Sequence, residues 1–153
     1  MSEIKIGDKA PSINAKDENG EIINISNYKG KKVILFFYPK DDTPGCTAES
    51  CNLRDNYSLL KKKGFEIIGV SADSSKKHQK FIKKYELPFK LIADEDKKVI
   101  EDYGVWGRKK FMGREFDGII RTTFVIDERG EIDRIFNKVE TKSHSEQILE
   151  TYK

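Results

Sequence analysis

A run of six apolar residues at positions 33–38 most constrains how this chain can fold. Its β-branched and aromatic composition is typical of a central β-strand. The run ends at Pro39, and Pro44-Gly45 follows shortly before a segment rich in helix-forming residues. Since Thr43 is a good N-cap residue and proline suits the first helical position, the sequence predicts a strand, a turn and then a helix.

The rest of the chain alternates between strand and helix signals. We predict further strands at 65–72, 89–93, 122–127 and 132–139, and helices at 46–62, 75–85, 97–103 and 143–153. Residues 12–25 indicate an N-terminal β-hairpin turned by Asn19-Gly20. Strands joined by helices run parallel, whereas the short link 127–130 predicts an antiparallel pair. The expected fold is α/β, with a central mixed sheet, helices on both faces and an N-terminal β-hairpin extension.

The two cysteines of the chain, Cys46 and Cys51, both lie just after the predicted turn. Cys46 falls in the first turn of the predicted helix, where free N–H groups and the helix dipole stabilise an anion. The thiolate is the nucleophilic form of cysteine, so this position indicates a redox-active residue. The Cys-x-x-Cys spacing that is usual in protein thiol-disulfide oxidoreductases is absent.

The same segment carries a family resemblance. Pro39, Thr43 and Cys46 match the Pro-x-x-x-Thr-x-x-Cys motif of the peroxiredoxins, and with Cys51 the stretch resembles their bacterioferritin-comigratory-protein (PrxQ) branch. Segments 7–11, 103–107 and 118–127 are similar to that branch in the same order. The resemblance implies a thioredoxin-like fold and a thiol-dependent peroxidase that reduces hydrogen peroxide and organic hydroperoxides.

The resemblance also implies roles for individual residues. Cys46 would attack the peroxide and become a sulfenic acid. Thr43 would orient the peroxide, and Arg121 would place a permanent positive charge beside the sulfur. Pro39 would shield the pocket from water. Glu49 matches a position that supports the hydrogen-bond network, although an exposed helix carboxylate is an equally good interpretation.

Cys51 would be the resolving cysteine, forming an intramolecular disulfide that thioredoxin or a similar dithiol protein reduces. In an ideal helix, residues five apart have Cα atoms roughly 8.6 Å apart. A disulfide tolerates no more than about 7 Å, so a helix that holds both cysteines must unwind before they can bond. The alternative is that Cys51 is simply a small buried residue.

Composition sets further bounds. The length of 153 residues suits one domain, 1–153, and no N-terminal signal or membrane-length apolar run is present. We therefore expect a cytoplasmic protein that does not bind membranes. The 29 Lys and Arg are interspersed with 26 Asp and Glu, which argues against nucleic-acid binding. Intramolecular resolution favours a monomer. The spacing of the cysteines and histidines fits no zinc finger, and we expect no metal and no cofactor.

Two other functions are compatible with this sequence. The chain could instead be a protein thiol-disulfide oxidoreductase, or a redox sensor or holdase.

His78 and His144 lie in polar sequence and are expected to be exposed. Trp106, Phe111, Met112 and Phe116 could form the rim of a pocket, but we expect them to pack in the core.

Overall fold

A computed structural model describes residues 4–153 and, of Phe111, only the backbone. The elements follow one another as β1 (Asn14–Lys16), β2 (Ile22–Asn24), a short 3-10 helix (Ile25–Tyr28), β3 (Lys32–Phe37), α1 (Pro44–Asp55), α2 (Tyr57–Lys62), β4 (Phe65–Ser71), α3 (Ser75–Tyr85), β5 (Lys90–Ala93), α4 (Lys98–Asp102), β6 (Trp106–Phe111), β7 (Arg114–Ile119), β8 (Thr122–Ile126), β9 (Ile132–Phe136) and α5 (His144–Glu150).

The central sheet has the strand order β5-β4-β3-β8-β9. Strands β3, β4 and β5 run parallel, β8 pairs antiparallel with β3, and β9 pairs antiparallel with β8. Strands β1 and β2 form an antiparallel hairpin. The mixed sheet and the N-terminal hairpin are therefore as the sequence predicts.

Successive side chains of β3 enter two different cores, because a strand alternates between the faces of its sheet. Leu35 and Phe37 pack on the face that α4 covers. Ile34 and Phe36 belong to the opposite core, which contains residues of α1, α2, α3 and α5: Leu53, Leu60, Phe81 and Ile148. Helices thus cover both faces, as predicted. Strand β3 is buried from Val33 to Phe37, and α1 starts shortly after its end.

The prediction of a single helix at 46–62 is wrong. The observed helix begins at Pro44 and is interrupted at Asn56, which separates α1 from α2. The Asn56 side chain donates a hydrogen bond to the backbone carbonyl of Asn52, at 2.9 Å. Asparagine favours such local bonds over helix continuation, which accounts for the break.

Strands β6 and β7 form a second hairpin that the sequence analysis missed. Its turn, Met112-Gly113, has positive φ at both residues, 52° and 79°. The expectation of core packing is wrong for Met112 and Phe116, which are 86% and 42% exposed because the hairpin stands away from the sheet. It holds for Trp106, which packs partly buried against the core. The Phe111 side chain lies outside the described residues.

Within residues 4–153, no helix combines the length and the apolar character that a bilayer crossing requires.

Candidate active site

Cys46 lies in the first turn of α1, and its side chain is fully buried. The helix begins as predicted, with Thr43 at the N-cap position and Pro44 as the first helical residue. The Thr43 hydroxyl, however, does not cap the helix and instead donates to the carbonyl of Lys40, at 2.9 Å. The thiol therefore sits where the helix dipole favours an anion, and the Thr43 oxygen keeps free lone pairs.

Arg121 contacts the sulfur of Cys46 directly. Its Nη2 donates to Cys46 Sγ at 3.3 Å, and its Nη1 donates to Oε1 of Glu49 at 2.8 Å. Arg121 precedes β8, whose first residue, Thr122, pairs with Phe37 at the end of β3. The pairing of β3 with β8 thus brings the segment after β3, which carries Cys46, close to the residue before β8, which is Arg121.

Gly45 leaves room for this contact. A Cβ atom at that position would lie 3.1 Å from Arg121 Nη2, closer than ordinary van der Waals contact. A side chain there would have to displace the guanidinium.

Glu49 is fully buried, which excludes the exposed-carboxylate interpretation. Burial raises the pKa of Glu49 to about 7, although the charge and hydrogen bond of Arg121 oppose the shift. Within the described residues its second oxygen, Oε2, has no hydrogen-bond partner. Near neutral pH this carboxyl group is therefore close to the point of gaining or losing its proton.

His144 is fully buried beside Glu49, so the expectation that it is exposed is wrong. The oxygen of the Gln147 amide accepts from the backbone N–H of Glu140, and 2.8 Å separates that oxygen from Nδ1 of His144. Nδ1 must then carry the proton, which leaves Nε2 to accept from the Thr123 hydroxyl, at 2.8 Å. Burial lowers the pKa of His144 to about 4, so the ring is neutral at pH 7.

Cys51 shares α1 with Cys46, as predicted, and both thiols are free. Whereas Cys46 is buried, Cys51 is only half-buried and lines an open groove with Tyr85 and Asp42. The two thiols therefore have different surroundings along one continuous helix. Pro39, half-buried, follows the last buried residues of the β3 run.

Lys109, on β6, is a cation near the site that the sequence analysis missed. Burial and the charge of Arg121 lower the pKa of Lys109, while Cys46 opposes the shift. The sequence analysis did not predict the β6–β7 hairpin that carries Lys109, so it had no reason to place this lysine near Cys46.

Comparison with known proteins identifies the family. Residues 6–135 match the AhpC/TSA family. The chain belongs to that family. It is 46% identical over 150 residues to Peroxiredoxin Bcp of Bacillus subtilis (strain 168), a match that covers 98% of this chain and 96% of the relative.

Solved structures agree. The PrxQ of Xylella fastidiosa superposes with a TM-score of 0.91 at 27% identity, covering 99% of this chain and 97% of that one. The bacterioferritin comigratory protein of Xanthomonas campestris, described for its alkyl peroxide reduction activity, gives 0.84 at 29% identity, over 91% and 88% of the two chains. The peroxiredoxin resemblance and the thioredoxin-like fold are confirmed, and the chain is a thiol peroxidase of the Bcp/PrxQ type.

Proposed function

We propose that Cys46 is the peroxidatic cysteine of this thiol peroxidase. The observation that supports it best is the 3.3 Å contact between Cys46 Sγ and Arg121 Nη2, made inside the first turn of α1. A guanidinium and a helix N-terminus both favour the thiolate over the thiol. The same two groups stabilise negative charge that develops on a peroxide oxygen during attack.

The first step forms one bond and breaks one. The thiolate of Cys46 attacks an oxygen of the hydroperoxide, the O–O bond breaks, and the other oxygen leaves with its electron pair and takes up a proton. The products are a sulfenic acid and water or an alcohol. Arg121 stabilises the charge, the Thr43 hydroxyl orients the peroxide, and Pro39 limits access of water.

Glu49 holds Arg121 in place through the 2.8 Å bond to Nη1. Because Nη1 and Nη2 belong to one planar group, fixing one nitrogen orients the other toward the sulfur. Glu49 is therefore a positioning residue in this proposal.

Cys51 is the proposed resolving cysteine. Its sulfur attacks the sulfenic sulfur of Cys46, the S–O bond breaks, and water leaves as the disulfide forms. Both residues lie in α1, where ideal geometry places their Cα atoms roughly 8.6 Å apart, beyond the reach of about 7 Å that a disulfide allows. The first turns of α1 must therefore unwind in each turnover.

The oligomeric state, the location, the reductant and the substrates are part of the same proposal. A disulfide within one chain needs no second subunit, so we propose a monomer. We also propose that it acts in the cytoplasm. Thioredoxin or a similar dithiol protein would reduce the disulfide. Besides hydrogen peroxide we propose organic hydroperoxides as substrates, as the Xanthomonas relative is described for alkyl peroxide reduction.

Two matched variants test the proposal, Cys46→Ser and Cys51→Ser, which make the same chemical change five residues apart. Cys46→Ser should consume no peroxide with a thioredoxin system. Cys51→Ser should form one sulfenic acid, detected by mass spectrometry after dimedone trapping, and then lose turnover. Peroxide consumption by Cys46→Ser at the parental rate would refute the assignment.

The same assays separate the alternatives. Insulin reduction without peroxide turnover would indicate a protein thiol-disulfide oxidoreductase, and suppression of aggregation without turnover would indicate a holdase. Far-UV circular dichroism of reduced and oxidised protein should show helix loss on oxidation. Identical spectra would contradict the unwinding of α1.

A further inference from the structure

His78 lies on α3, fully buried, and belongs to a polar cluster separate from the groups around Glu49. Its Nδ1 lies 2.7 Å from Oδ2 of Asp41, and its Nε2 lies 2.9 Å from the backbone carbonyl oxygen of Ile92. A carbonyl and a carboxylate can only accept hydrogen bonds. A neutral imidazole has one N–H and can donate to only one of them, so the two contacts require either a proton on both ring nitrogens or a proton on Asp41.

The shared proton could sit on Asp41 instead, which would leave the ring neutral. The ordinary pKa values, about 6.5 for imidazole and about 3.9 for aspartate, favour the imidazolium and carboxylate pair. Tyr38 donates its hydroxyl to the other oxygen of Asp41 at 2.6 Å, which further stabilises the carboxylate. Burial alone would lower the pKa of His78, but the contact with Asp41 outweighs it and raises the pKa above its usual value.

The pair fastens the loop that connects β3 to α1. The backbone N–H of Asp41 donates to Oδ2 of Asp73 at 2.8 Å, and the Ser71 hydroxyl donates to the same oxygen at 2.7 Å. The next residue, Asp42, has a left-handed φ of 60° and accepts the Tyr85 hydroxyl at 2.6 Å. Two consecutive residues of the loop are thus held by side chains from α3 and from the loop that precedes it, and Ser71 of β4 supports Asp73.

This loop carries Pro39 and Thr43 on either side of Asp41. The Thr43 hydroxyl bonds to the Lys40 carbonyl, so its direction depends on the course of the loop. Displacing reacting groups by about 1 Å can slow a reaction by about a hundredfold. The loop is therefore a place where a distant anchor can control the peroxide reaction.

We propose that His78 is a positioning residue for peroxide reduction: as a buried imidazolium, it holds the Asp41 carboxylate and thereby fixes the loop that sets Pro39 and Thr43 beside Cys46. The inference rests on the proposed role of Cys46 and adds a residue to it. By distance alone Asp41, Asp73 and His78 would also suit a metal ion, their ligand atoms lying within 4.8 Å of one another. In the proposed state Nδ1 carries a proton and offers no lone pair to a metal ion.

The charge of His78 can be tested without catalysis. In reduced protein labelled with ¹⁵N-histidine, NMR should show two different rings at neutral pH. One, His78, should be protonated on both nitrogens, and the other, His144, only on Nδ1. In Asp41→Asn the new amide can donate to Nδ1, so His78 should become neutral. A neutral His78 in the parent protein would overturn the proposal.

Kinetics test the positioning role. His78→Phe removes the opposite charge beside the buried Asp41 carboxylate and leaves Oδ2 without the ring N–H, so the loop should shift. We expect the rate constant for oxidation of Cys46 by hydrogen peroxide to fall about tenfold or more. Alkylation of the same thiol by iodoacetamide, which needs no peroxide orientation, should keep the parental rate. Adding Asp41→Asn removes the unpaired charge and should restore part of the peroxide rate. The control Lys80→Ala, on the exposed side of α3, should react as the parent does.

Two results would overturn the role: a parental peroxide rate in His78→Phe, or equal losses in both reactions, which would indicate general damage. If His78→Phe does not fold, Asp41→Ala and Asp41→Asn decide the matter. The alanine variant should lose more peroxide reactivity than the asparagine variant, and equal rates would refute the proposal. If Cys46→Ser still turned over peroxide while NMR showed an imidazolium at His78, the proposed role of Cys46 would be wrong and the charge of His78 would still be supported.

Discussion

Glutamine in place of Glu49 tests the buried charge beside the sulfur. The carboxyl group is fully buried, and burial raises its pKa from 4.5 to about 7 against the opposing effect of Arg121. The folded protein therefore binds this proton more tightly than the unfolded chain does. The group's contribution to stability is complete below about pH 4.5 and is lost as the pH rises toward 7.

The size of the effect follows from the shift. A difference of about 2.5 units, at about 1.36 kcal/mol each, gives about 3 kcal/mol. Glutamine resembles the protonated carboxyl group, because its oxygen can still accept from Arg121 while it carries no charge. Relative to the parent, Glu49→Gln should therefore gain about 2.5 kcal/mol in the free energy of unfolding between pH 5 and pH 8, because part of the effect is already lost at pH 5.

Urea unfolding of the reduced protein, followed by circular dichroism at about pH 5 and about pH 8, measures this gain as a difference between the two proteins. Groups that titrate in both proteins cancel in that comparison. Glu101→Gln, at an exposed position of α4, is the matched control and should follow the parent at both pH values. A stability difference that does not change with pH would refute the reasoning. A loss of stability at the higher pH would mean that the ion pair with Arg121 outweighs the cost of burial.

Three further variants probe neighbouring contacts. Arg121→Lys replaces a guanidinium, whose two terminal nitrogens contact Cys46 and Glu49, with a single ammonium group. The rate of Cys46 oxidation by peroxide, measured by stopped flow, should fall by about tenfold to a hundredfold. Gly45→Ala should favour the helix by up to about 1 kcal/mol yet slow the same oxidation, because its Cβ displaces the guanidinium; stability and rate falling together would contradict this. The side-chain oxygen of Asn52, on α1, accepts the backbone N–H of Ser145 at 2.7 Å and so caps the start of α5. Asn52→Ala removes this cap, and urea unfolding should show a loss of about 1 kcal/mol in the free energy of unfolding. No loss would contradict the capping role.

The surroundings of Cys46 were predictable because the signals are local. An apolar run, Pro44 and Thr43 define the strand, the turn and the first helical turn within a few residues of the sulfur. The contact with Arg121 lies 75 residues away in the chain and came only from the family resemblance, since it depends on how β3 pairs with β8.

The histidines show where local reasoning failed. His78 and His144 sit in polar stretches, which suggested exposure, but partners from other elements make them suitable for burial. Asp41 comes from the loop before α1, and Thr123 comes from β8. A single sequence does not reveal such pairings, because burial of a polar side chain is decided by the group that it meets.

The missed hairpin has a different cause. The segment 106–119 mixes charged residues with glycines, and its turn, Met112-Gly113, lacks the Asn-Gly signature that marked the first hairpin. Strand propensity was weak, and pairing between β6 and β7 supplied the structure instead.

The antiparallel pairing of β3 with β8 means that Cys46 and Arg121 meet through backbone hydrogen bonds between strands rather than through the chain that links them. We therefore expect the two halves to assemble without a covalent link between them. A polypeptide divided at the exposed tip, between Met112 and Gly113, keeps β3 and α1 in one fragment and Arg121 and β8 in the other. Mixing the fragments should rebuild the thiol site by complementation.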